Sequence, residues 1–137
     1  MKNLFTRGSL AYAAGAVGAL ASTLTAWTFA YYGVPTVMGV KLTPEFTASW
    51  LYLRLVWGGL WGLLFLLPLL RRSPVIRGLL WGLVPSLVQL LVVLPSTSGG
   101  VLGLNLGIMT PAMVVFCNSI WGIVASYWFS MINEILS

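Results

Sequence analysis

Histidine is missing from this 137-residue chain, acidic residues number two and cysteine one. Without histidine there is no imidazole to ligate a metal or act as a base. Glu45 and Glu134 are the only carboxylates, each near the end of an apolar run, so no carboxylate pair is available for metal or proton chemistry. Cys117 lacks an intrachain partner and reads as a small buried apolar residue. Serines and threonines are present, but no Ser-His-Asp set, glycine-rich phosphate loop or cysteine pair accompanies them. These absences predict a protein that is not an enzyme, with no metal site and no resident cofactor.

Charge of either sign is also scarce: 7% of residues are charged, against about a quarter in soluble proteins. In its place, 59% of the chain is hydrophobic and the mean hydropathy is +0.97. A soluble core cannot absorb so much apolar surface. The expected class is all-α, a polytopic membrane protein with a four-transmembrane-helix bundle and short loops, residues 1–137 forming a single domain. The formal charge of +5 is a topology signal, because Lys2, Arg7, Arg71, Arg72 and Arg77 fall beside span ends while the opposite loops hold only Lys41. No nucleic-acid partner is expected. The basic side is read as cytoplasmic, with both termini on it, in a bacterial inner (plasma) membrane.

The spans are expected at residues 9–31, 44–70, 75–94 and 111–132. Lys2 and Arg7 ahead of an apolar stretch give the outline of a signal peptide, but that stretch is longer than an h-region of about 7–15 residues, so it reads as a retained first helix. Gly33 and Pro35 close it. Thr43, Pro44 and Glu45 form a start signal for the second span. Residues 71–77 read as a tight basic hairpin between antiparallel neighbours. Pro68 and Pro85 are expected to kink their helices. Between the third and fourth spans, Leu102, Leu104, Leu106 and Ile108 alternate with Gly103, Asn105 and Gly107, a strand-like period that suits a short extended cap or a partly re-entrant loop.

In lipid, helices associate through small residues that let backbones approach. Such stripes comprise Ala11, Ala14, Gly18, Ser22 and Thr25 in the first span; Arg54, Gly58 and Gly62 in the second; Gly78, Gly82 and Ser86 in the third; and Asn118, Gly122 and Ser126 in the fourth. Residues 58–63 and 78–83 share Gly, Leu, Trp, Gly and Leu, and Trp121-Gly122 repeats the dipeptide. This pattern reads as a packing device or a chance match of Leu-, Trp- and Gly-rich helices, with an inverted repeat as the alternative.

Polar residues inside spans are costly and usually face the bundle interior. At about 1.5 Å of rise per residue, Arg54, Gln89, Asn118 and Thr25 fall at a similar depth, roughly 5–7 Å to the outer side of the centre. They form a candidate buried polar layer or ligand site. Arg54 has four readings: snorkelling to headgroups, structural glue with Gln89 and Asn118, pairing with an acid of another subunit, or gripping an anionic or carbonyl-bearing ligand. Trp27, Trp50 and Trp128 suit interfacial anchors.

The function expected from these features is that of a small accessory or structural subunit, partnered by membrane lipids and by other membrane subunits or further copies of itself. The alternatives are a small oligomeric channel or transporter for an anion or polar solute, and a subunit binding lipid, quinone or pigment in a tryptophan-lined groove.

Overall fold

The computed structural model describes residues 4–40, 47–67, 73–96 and 100–135. Lys2, Lys41, Thr43, Pro44, Glu45, Pro68, Arg71 and Arg72 lie outside these. All regular structure among the described residues is helical, and four helices are long and apolar enough to cross a membrane.

Helix α1 runs Leu4–Tyr31, five residues earlier than expected, so Arg7 lies within it. It stops at Gly33, whose φ of 74° is left-handed, a conformation that costs glycine little because it lacks a Cβ. A single turn, Val34–Val37, follows with Pro35 near its start. Helix α2 spans Ala48–Gly62, and its cap is Thr47, whose Oγ1 accepts from Trp50 N at 3.1 Å. It tightens into a 3-10 turn at Leu63–Leu66 and ends in extended Leu67. Leu67 precedes Pro68, and the residue before a proline is sterically pushed out of the helical region. Among the described residues the second span covers 48–66, and residues 44–46 and 68–70 of the expected span lie outside them.

Helix α3, Pro74–Val88, is capped by Ser73 Oγ, which accepts from Ile76 N, and has Pro74 in its first turn. Pro85 lies within it, and the helix widens into a π turn at Gln89–Val93. Leu94 N bonds to Gln89 O, five residues back, at 2.9 Å. The connection to the fourth span corrects the strand-like expectation. Val101–Leu106 is a 3-10 segment containing two left-handed residues, Leu102 at φ 57° and Gly103 at φ 68°. Curled in this way, it turns Leu102 and Leu106 onto Leu90, Leu94 and Val114, leaving Val101 and Leu104 exposed. Helix α4 extends over Thr110–Ile135.

The lateral order of the helices is α2, α1, α4, α3, with α1 and α4 as the central pair. Small residues set each contact. A Cβ on Gly62 would stand 2.7 Å from Gly15 Cα, and one on Gly78 would stand 2.6 Å from the Gly122 backbone. Gly82 abuts the Asn118 carbonyl at 2.7 Å by the same measure, Gly58 faces Ala19, and Gly18 faces Trp121 and Ala125. These distances leave no room for a side chain. Trp121 spans the centre, donating from Nε1 to Gly15 O at 2.9 Å. Phe65 and Phe129 pack beside it in the core.

The short connection between α2 and α3 suggests packed neighbours, but the two helices do not pack along their lengths. Gly58 and Gly62 draw α2 onto α1, while Gly78 and Gly82 draw α3 onto α4. One side of the bundle is thereby left open.

Candidate functional site

Between α2 and α3 lies a groove of about 360 Å³, within the usual range for small-molecule sites of roughly 300–1,000 Å³. Trp50, Leu53, Arg54, Trp57 and Trp61 form the α2 wall, and Pro85, Val88, Gln89 and Val93 form the α3 wall. Its floor comes from the central pair, with Ala19 and Ser22 of α1 and Asn118 and Trp121 of α4. Trp57 stands at the mouth, 56% exposed, whereas Trp121 at the floor is 3% exposed.

Three members of the expected polar layer, Arg54, Gln89 and Asn118, line this one groove. Thr25 does not join them, since its hydroxyl donates to Ala21 O of its own helix at 2.9 Å. The residues that meet Arg54 from α1 lie two and three positions earlier. Thr23 Oγ1 accepts from Arg54 Nε at 2.8 Å, and Ser22 Oγ accepts from Nη2 at 3.3 Å. Both hydroxyl residues are buried. The guanidinium carbon also lies 5.2 Å from the centre of the Trp50 ring, so Trp50 stacks on the cation.

Asn118 Nδ2 donates to Ser86 Oγ at 3.0 Å, and that hydroxyl donates onward to Gly82 O at 2.8 Å. The chain of donors ties α4 to α3 just behind the groove. Gln89 opens the π turn, and its carboxamide makes no hydrogen bond to any described residue.

A sequence signal for the α2 wall was available. Trp50, Arg54, Trp57, Gly58 and Trp61 recur at intervals of three and four and so share one helical face. The depth argument missed Thr23 because it fixes height and leaves rotation about the axis open.

Arg77, expected beside a span end, is buried there. It is 6% exposed, and its Nη2 donates to the carbonyls of Phe65 and Leu67 where α2 runs out. Its guanidinium lies 5.4 Å from the Phe65 ring and 5.5 Å from the Phe129 ring. Within the expected basic hairpin, this charge forms a bracket that closes a helix C-terminus, where a cation is favoured. Glu134, on the last turn of α4, is the only carboxylate among the described residues, and no group of metal-ligating side chains occurs among them.

Comparison with family models, curated proteins and solved structures returns no match for this chain.

Proposed function

We propose that the chain is a non-catalytic integral membrane protein that binds an amphiphilic molecule, taken sideways from the bilayer into the groove between α2 and α3. One observation carries this reading: the open side of the bundle is also the side where the intraspan polar groups gather. In hydrocarbon, a guanidinium and two carboxamides are costly to leave facing acyl chains. A ligand with a polar head and an apolar body meets both demands, since Arg54, Gln89 and Asn118 suit the head and Leu53, Trp57 and Val88 suit the body.

The opening is lateral, which favours an occupant supplied by the membrane over a solute crossing it. At the outer end, the loops containing Gly39 and Gly107 approach closely enough that a Cβ on Gly107 would lie 3.1 Å from Val40 Cα. Basic residues Lys2, Arg7, Arg71, Arg72 and Arg77 favour a cytoplasmic position for the termini and for the α2–α3 connection in a bacterial inner membrane, which puts the groove in the outer half.

Native mass spectrometry of protein purified in a mild detergent tests the reading. A stoichiometric amphiphile is expected on the wild type and absent from Leu53→Trp/Val88→Trp, in which two indoles fill the mouth. A wild type that carries no adduct, or a filled variant that carries as much, would contradict it.

A further inference from the structure

The fixed charge of the groove has one sign. Arg54 supplies a guanidinium, while Glu134, the single carboxylate among the described residues, lies about 24 Å beyond Asn118 along α4. The partners of Arg54 are neutral: Thr23 holds Nε, Ser22 holds Nη2 and Trp50 covers a face. Nη1 has no hydrogen-bond partner among the described residues, and Arg54 lines the groove. Across the groove, the Gln89 carboxamide is likewise uncommitted among the described residues. Asn118 has already spent its Nδ2 on Ser86.

We infer that the occupant is an anionic phospholipid, its phosphate held between Arg54 and Gln89 and its chains leaving through the mouth past Trp57 and Val88. The inference rests on the groove reading above and adds the chemistry of the head. Charge complementarity carries it. A guanidinium with one edge anchored presents its remaining N–H donors as a fork, which matches phosphate oxygens, and an amide donor opposite extends the grip. A neutral carbonyl head would leave the positive charge unmatched. A free inorganic anion would have to shed its water at a mouth of Leu53, Trp57 and Val88, whereas a lipid already has its chains in that layer. Ser22 and Thr23 are positioning residues in this scheme: they hold two guanidinium nitrogens so that the third faces the groove.

Competition on the full-length protein in detergent, read by native mass spectrometry, tests it. The probes are phosphatidylglycerol and phosphatidylcholine with identical chains, with inorganic phosphate and a quinone as further competitors. Both lipids offer the phosphodiester, but the choline cation cancels its charge and would sit beside the guanidinium. The wild type should therefore prefer phosphatidylglycerol by about tenfold, the size of one like-charge contact in a partly desolvated site. In Arg54→Gln the preference should fall to about one, with both lipids still bound but each less tightly than by the wild type. Gln89→Leu should lower the ratio several-fold. Thr23→Val should lower it also, and Thr23→Ser should restore it, which a purely structural threonine would not require.

Equal retention of both lipids by the wild type, or a preference unchanged in Arg54→Gln, overturns the inference and leaves the groove reading standing. Displacement of the lipid by inorganic phosphate alone makes the ligand a soluble anion and overturns the lipid assignment. Preferential retention of the quinone overturns the anionic head. Retention of no amphiphile at all removes the groove reading itself.

Discussion

Replacing Arg77 with methionine separates a buried bracket from a surface charge. The side chain is enclosed, donates to the carbonyls of Phe65 and Leu67, and lies against two phenyl rings. Methionine keeps much of the volume but leaves those carbonyls unmet, at about 1–3 kcal/mol. The lost ring contacts add about 0.5–2 kcal/mol. Some of this is returned because a buried charge no longer has to be desolvated. A net destabilisation of about 2 kcal/mol follows, several times the effect of removing an exposed charge. The assay is reversible unfolding in mixed detergent micelles, comparing Arg77→Met with wild type and with Arg77→Lys, which should recover part of the loss. A change in Arg77→Met below about 0.5 kcal/mol, typical of surface substitutions, would refute the bracket.

The glycine contact between α3 and α4 should be similarly intolerant: Gly78→Val puts branched carbon where even a Cβ would stand 2.6 Å from the Gly122 backbone. A loss of at least about 1–3 kcal/mol in the same assay is expected, because the helices must separate. Gly103→Ala should also destabilise, since its φ of 68° disfavours a Cβ and that atom would lie 2.6 Å from Thr110 Cγ2. An unchanged midpoint would show that the loop relaxes freely. Lipid preference should be flat between about pH 5 and 8, because the chain has no histidine and arginine stays protonated; a titration midpoint in that window would point to a group other than Arg54.

Long apolar runs made four helices legible in the sequence, and glycine spacing indicated the faces on which Gly58, Gly62, Gly78, Gly82 and Gly122 now lie. Three features were not legible, each for a physical reason. A short connection between α2 and α3 implies proximity at one end only. The close approaches of Gly62 to Gly15 and of Gly78 to Gly122 pull the two helices onto different partners. The burial of Arg77 depends on where α2 runs out, since only the early 3-10 ending presents the Phe65 and Leu67 carbonyls to it. The Leu and Gly alternation at 101–109 has a strand's period, but positive φ at Leu102 and Gly103 winds it into a cap. Depth along the helix drew together Arg54, Gln89 and Asn118, which all line the groove. It picked Thr25 where Ser22 and Thr23 face the arginine, because a helix turns 100° per residue and height says nothing of azimuth.

The most direct test of a lipid-holding groove is photocrosslinking with a phospholipid carrying a photoreactive group in its chain. The residues of the mouth, Leu53, Trp57 and Val93, can be compared with equally exposed apolar residues elsewhere, such as Leu20, Phe116 and Tyr127. Labelling concentrated at the mouth, and lost in Leu53→Trp/Val88→Trp from the remaining mouth positions, is the predicted result. Labelling spread evenly over both sets would contradict it, leaving the open side as ordinary lipid-facing surface.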